Sequence, residues 1–261
     1  MTFSALIAAA KRHDCGLELA VPSEWHQGRT AYGGFSAAAA LVAAMEVGGE
    51  GLPPLRSAVV GFVGPAFGDI DARARVLRRG KNATWIGADL VRAGEVVVTA
   101  TFVFMGPVAS SVHLNDCPPP QGLIAPEQAG TYKPHSLMPA FISNNFDVAF
   151  ALPKLAEKRP DLCWWVRLKD RAGIDPMVEM MLIADCLPPG VLPLMGPGTP
   201  VSSMTWQSNL LTAAPVTRDG WWLLRSTGDY AEDGCSSQVM RMWNADGQPV
   251  MAGMQAIALF G

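Results

Sequence analysis

Gly94-Glu95-Val96-Val97-Val98-Thr99-Ala100-Thr101-Phe102-Val103-Phe104 can be laid without a gap over Gly247-Gln248-Pro249-Val250-Met251-Ala252-Gly253-Met254-Gln255-Ala256-Ile257. Each stretch leaves a turn glycine and continues as an apolar strand, the last of its half of the chain. The position held by Phe102 in the first copy is Gln255 in the second. A duplicated fold keeps its packing in both halves but needs its chemistry in only one. An amide in place of a phenyl ring therefore points at the chemistry.

Outward from that pair, the order of elements repeats. In the first half an extended piece near residues 17–21 leads to Gly33-Gly34 and an Ala-rich segment, 35–46. There Phe35, Ala38, Leu41, Val42 and Met45 recur at helical spacing, which predicts a helix with one apolar stripe. Strand-like runs follow at 56–63, 70–79, 84–92 and 95–105, separated by turn signals such as Arg79-Gly80-Lys81-Asn82. In the second half, residues 163–168 read as a strand and 175–187 as a helix. Asp175 can cap its start, Pro176 suits its first position and Pro188-Pro189-Gly190 ends it. Four strands follow, at 201–210, 221–227, 235–243 and 250–260. Prolines and glycines from Pro118 to Pro139 make regular structure improbable between the halves. The division expected is 1–106, a connecting segment 107–140, and 141–261, in the α+β class.

Composition narrows the function. The 261 residues are 49% apolar and 16% charged, with a net charge of −3 and no charge runs. That suits a large core and argues against a nucleic-acid groove. Five cysteines without CxxC spacing suit reduced thiols, hence a cytoplasmic location. The histidines at 13, 26, 113 and 135 show no ligand spacing, so neither a metal nor a cofactor is expected. Residues 1–14 read as a short amphipathic helix rather than a signal peptide, and no apolar run reaches the ~20 residues of a membrane span.

Several polar residues sit on apolar elements. Asp185 falls on the stripe of Val178, Met181 and Leu182, where a carboxylate is costly unless hydrogen bonds hold it or its pKa rises. The alternative is a solvated Asp in the last helical turn. Gln255 lies in a strand apolar on both faces, with Met251 and Ile257 on its own and Met254 and Phe260 on the other, which predicts burial on both sides. A structural glutamine tied to a loop carbonyl is its alternative reading. Ser202, Ser203 and Thr205 supply hydroxyls at the start of a strand; strict alternation puts Ser203 and Thr205 on one face and Ser202 on the other. Gly33 and Gly34 can offer backbone N–H groups to a carbonyl or phosphate, or merely permit close packing. Trp25 and His26, just before them, are candidates for the same cleft, and Arg78, Arg79 and Lys81 for phosphate contacts.

Taken in order, these residues resemble the double-hotdog acyl-CoA thioesterases, the group that includes bacterial acyl-CoA thioesterase II. The likeness rests on Tyr32-Gly33-Gly34-Phe35-Ser36-Ala37-Ala38, Phe62-Val63-Gly64-Pro65, Val76-Leu77-Arg78-Arg79-Gly80, Ile183-Ala184-Asp185, Ser203-Met204-Thr205-Trp206, Asp246-Gly247 and Met254-Gln255. It implies two fused hotdog units, each a curved antiparallel sheet around a long helix, with homo-oligomerisation through sheet packing as an option. It also implies hydrolysis of a fatty acyl-CoA to free acid and CoA. The family's Asp and Gln match Asp185 and Gln255, whose side chains should then approach across a water-sized gap of about 3–6 Å. Val201 occupies the place of the family's Ser or Thr, leaving Ser202, Ser203 and Thr205 as candidates for the hydroxyl. Acyl-CoA hydration and non-catalytic acyl binding are the competing functions; no Asp–His pair of the hydratase kind is present.

Overall fold

The structure, a computed structural model, describes residues 1–130, 138–154 and 156–260. His135, among the histidines without ligand spacing, and Pro134 of the connecting segment lie outside them. The first half comprises α1 (Phe3–Ala9), β1 (Lys11–His13), β2 (Gly16–Val21), the small pair β3 (His26–Gln27) and β4 (Thr30–Ala31), α2 (Gly33–Gly48), β5 (Leu55–Phe62), β6 (Gly68–Arg79), β7 (Ala83–Arg92) and β8 (Glu95–Met105). The second comprises α3 (Ala140–Asn145), β9 (Phe146–Phe150), β10 (Asp161–Leu168), α4 (Pro176–Ala184), β11 (Val201–Leu210), β12 (Trp222–Glu232), β13 (Cys235–Asn244) and β14 (Pro249–Leu259).

Twelve strands form one continuous sheet in the order β1-β2-β6-β7-β8-β5-β11-β14-β13-β12-β10-β9. Among the described residues every ladder of this sheet is antiparallel. The halves meet where β5 pairs with β11, Val59 opposite Gln207. Outward from that seam the two directions read alike. β8 and β14 hold the same place, as do β7 and β13, and β6 and β12. This is the α+β class that the repeat implied and the double-hotdog architecture that the resemblance implied.

Helix α2 is expected to bury one stripe, yet Ala37, Ala38, Ala39 and Ala40 are consecutive and all fully buried. Sheet wraps the helix on one side and α4 packs on another, so small side chains are needed round its first turns, while Glu46 near its end stays exposed. Gly49, at φ 73, turns the chain out of α2. Arg79, a candidate phosphate ligand, donates from Nη2 to the Gly48 carbonyl at 2.7 Å and so caps the helix end. Asp175 caps α4 as its sequence predicts, accepting from the Met177 N–H at 2.8 Å, with Pro176 in the first turn.

Three local expectations need correction. The amino-terminal helix stops at Ala9 and the chain pairs as β1 from Lys11. Helix α4 ends at Ala184, so Asp185 is its C-cap rather than a residue of its last turn. Strand β14 is not buried on both faces along its length: beside buried Val250, Met254 is 50% exposed, and Phe260 just past the strand is 58% exposed. Apolar character on both faces of a strand does not compel burial of both, because much of any protein surface is apolar.

Of the connecting segment, residues 107–130 hold no helix or strand and run over the second half, while its last residue, Ala140, already begins α3. Trp165 donates its indole N–H to the Ile124 carbonyl and Trp243 to that of Cys117, both at 2.8 Å. Trp165, Trp221, Leu223 and Trp243 form a small separate core there, with Cys117 and Leu123 packed against it.

Candidate active site

The start of α2 meets the end of α4. Tyr32, fully buried, donates its hydroxyl to the Leu182 carbonyl at 2.7 Å and stacks on Phe141 with ring centres 4.0 Å apart. Gly33 and Gly34 make that approach sterically possible. A Cβ on Gly34 would lie 2.5 Å from the Tyr32 hydroxyl and 2.7 Å from the Leu182 carbonyl, and one on Gly33 would run into Asp185 Oδ2. Gly34→Ala is therefore expected to cost about 1–3 kcal/mol, the usual penalty of overpacking. Thermal denaturation checks it; an unchanged Tm would mean that the two helix ends are loosely packed.

Asp185 projects from this junction into the interior, 9% exposed. Burial pushes its carboxyl from the ordinary 3.8 up to about 7, against opposing hydrogen bonds from the Gln255 side chain and the Gly34 backbone N–H. The same burial raises the thiol of Cys186 and the phenol of Tyr32 well above their ordinary values. Asp185 is thus the one group of the three poised to titrate near neutrality.

Gln255 is 5% exposed on the inner face of β14. Its Nε2 donates to Asp185 Oδ1 and to Ser203 Oγ, each at 2.9 Å. Asp185 and Gln255 are therefore in direct contact, and the expected water-sized gap does not separate them.

A bulge decides which hydroxyl reaches Gln255. The β11–β14 register slips between Ser203 and Thr205, so Ser203 faces Ile257 while Trp206 faces Gln255. Met204 is the extra residue, and it reverses the alternation that put Ser203 and Thr205 on one face. Ser203 shares the inner face with buried Trp206, Ser208 and Leu210, whereas Thr205 is exposed on the outer one. This corrects the strand reading, and the structure does not bring Thr205 to Asp185.

A cleft of about 350 Å³ opens over this point, lined among others by Gly33, Ser36, Phe62, Pro65, Ser202 and Ser203. Ser202 is exposed at its rim. Gly34 lies beneath the cleft rather than in its wall. Trp25 departs from its expected place: it is 1% exposed and packs against Phe3, Phe35 and Phe146, away from the cleft. A tryptophan beside a helix start is drawn under it by the area it can bury. His26 is half-buried next to the cleft residue Gln27, and its Nε2 has no partner among the described residues.

One contributor escapes the sequence reading. Gln238, 1% exposed, donates from Nε2 to Gln255 Oε1 at 2.7 Å. Its signal is of the kind that exposes Gln255: Gln238 alternates with buried Met240 and Met242, a polar residue on an apolar strand face. Among the described residues no three His, Cys, Asp or Glu side chains group as metal ligands, and no helix is long and apolar enough to cross a membrane.

Comparison with known proteins agrees with this architecture. A hotdog-fold protein of unknown function from Alicyclobacillus acidocaldarius superposes with a TM-score of 0.87 at 19% identity, covering 100% of this chain and 99% of its own. The tesB protein of Mycobacterium avium subspecies paratuberculosis gives 0.79 at 16%, over 100% of both chains. An acyl-CoA thioesterase II of Mycobacterium marinum gives 0.74 at 17%, over 99% and 97%. At these identities the likeness shows the fold. No curated protein matches the sequence. Family models settle the rest: residues 21–105 match the acyl-CoA thioesterase N-terminal domain, and residues 114–259 the acyl-CoA thioesterase C-terminal domain. Matched in order along both halves, the chain belongs to the acyl-CoA thioesterase family and is a thioester hydrolase of double-hotdog fold.

Proposed function

We propose that this enzyme hydrolyses fatty acyl-CoA thioesters to free acid and CoA at the cleft above Gly33, with Asp185 as the base. The observation that carries the reading is the placement of Gln255, whose amide donates to Asp185 and to Ser203 together, Ser203 being the member of the three that lines the cleft. A water held between Asp185 Oδ2 and the Ser203 hydroxyl gives its proton to Asp185 as its oxygen attacks the thioester carbonyl. The resulting oxyanion faces the amino terminus of α2, where Gly33 contributes a backbone N–H with no acceptor within the helix and the positive end of the dipole. Collapse breaks the C–S bond, and the CoA thiolate takes the proton from Asp185. Both transfers suit a carboxyl held near the working pH. The acyl chain lies against the apolar wall that includes Phe62 and Pro65.

Assaying hydrolysis over a series of acyl-CoA chain lengths, with Asp185→Asn as control, tests the proposal. Turnover is expected to rise with pH through about 7 as Asp185 loses its proton, and then to level off. A rate independent of pH across that range, or hydrolysis unaffected by the control substitution, would overturn the assignment of the base.

A further inference from the structure

We infer that Gln238 is a positioning residue that sets which way round the Gln255 amide stands. The inference rests on the proposed role of Asp185 and extends it. A glutamine side chain offers an oxygen on one side and an NH₂ on the other, and turning it over exchanges acceptor for donors at almost no cost in shape. Gln255 is useful to Asp185 only one way round. With its NH₂ inward it donates to the carboxylate and to Ser203. Turned over, it would set a carbonyl oxygen against a carboxylate, two acceptors with no proton between them.

The geometry fixes the choice from a distance. The Gly190 backbone N–H, which can only donate, meets Gln238 Oε1 at 2.7 Å. Ser226 Oγ reaches the same oxygen at 2.7 Å. Both partners lie in the interior: Ser226 is fully buried, and a Cβ on Gly190 would come within 2.5 Å of the Gly228 nitrogen. Gln238 Oε1 must therefore point at Gly190, which turns its NH₂ toward Gln255 Oε1 at 2.7 Å. Gln255 is directly opposite it in the β13–β14 ladder. That in turn leaves both Gln255 N–H groups for Asp185 and Ser203. A donor that cannot reverse stands at one end and, once Asp185 is ionised, an acceptor-only carboxylate at the other, and each amide between them then has a single orientation that satisfies all contacts. Reversing either one strands a buried polar group, which is the costly outcome.

A further consequence falls on Ser203. Because its oxygen accepts from Gln255, its own proton is free to donate toward the cleft, to the water or to the thioester carbonyl. Direction, rather than mere proximity, is what Gln238 contributes.

Gln238→Met keeps the volume and removes the amide. Per folded molecule, kcat on acyl-CoA should fall by about 10–100-fold, the size seen when the partner orienting a working side chain is lost, with KM nearly unchanged. In a Gln255→Ala background the same substitution should change kcat no further, because Gln238 acts only through Gln255. Normal kcat in a destabilised Gln238→Met protein, or an undiminished loss in the Gln255→Ala background, would overturn the inference. Gln238→Glu serves if the first variant does not fold. While protonated it can still accept from Gly190 and donate to Gln255; once ionised it can only accept. Buried glutamates titrate at up to about 8–9, so kcat of that variant should fall again toward about pH 10 while the wild type stays level. A profile parallel to wild type would overturn the inference. Asp185→Asn measured alongside separates the two levels: if it leaves turnover intact, the base assignment fails as well, and if it abolishes turnover while the Gln238 variants are normal, only the positioning role fails.

Discussion

Asp185→Asn is expected to lower turnover by about 10²–10⁴-fold while leaving KM nearly unchanged, the range that general-base catalysis contributes. The substitution keeps the shape of the side chain and an oxygen for Gln255 Nε2, which now lies 2.9 Å from Oδ1. What it removes is the carboxylate proposed to accept the water's proton. Neither Cys186 nor Tyr32 can replace it, since burial holds both protonated at neutral pH. Gln255→Ala should also slow turnover, though by less, because the base remains and only its orientation and that of Ser203 are lost. Measuring kcat against the concentration of folded protein checks both. A fully active Asp185→Asn enzyme would assign Asp185 to the helix end alone.

The exchange of Phe102 for Gln255 carries most of what the sequence discloses, and the reason is physical. The two residues hold matching places on β8 and β14, both turned inward, so a duplicated pattern makes the polar one conspicuous. Asp185 is legible for the same reason, on the helix stripe of Val178 and Met181. Ser203 is not separable from Thr205 by sequence, because strict alternation gives both one face and the bulge at Met204 lies in backbone pairing rather than in residue type. Trp25 misleads through its position: it stands beside the glycines in the chain but its ring goes under α2. The burial of consecutive residues in the first turns of α2 follows from α4 packing against it, a contact between segments more than a hundred residues apart. A single-helix periodicity has no access to that.

Asp185 should also make the enzyme's stability depend on pH, with a sign opposite to that of an ion-paired carboxylate. Its folded-state value of about 7 lies above the ordinary 3.8. Between those two values the folded chain holds a proton that the unfolded chain has lost, so stability is greatest below about 4 and falls as pH rises through about 7. A shift of this size corresponds to a contribution on the order of 4 kcal/mol, fully expressed only above the folded value. Other groups titrate over the same range, which makes the comparison with Asp185→Asn the informative one. The neutral amide does not titrate, so the variant escapes this loss, and its stability relative to wild type should climb from about pH 4 to about pH 7 and then level off. Above neutrality the nearly inactive variant should be the more stable of the two, as expected of a carboxylate kept in an apolar site for its chemistry. Denaturant midpoints for both proteins at several pH values supply the test. Parallel curves would mean that Asp185 is as well solvated, or as well hydrogen-bonded, folded as unfolded, and would remove the basis for its activity near neutral pH.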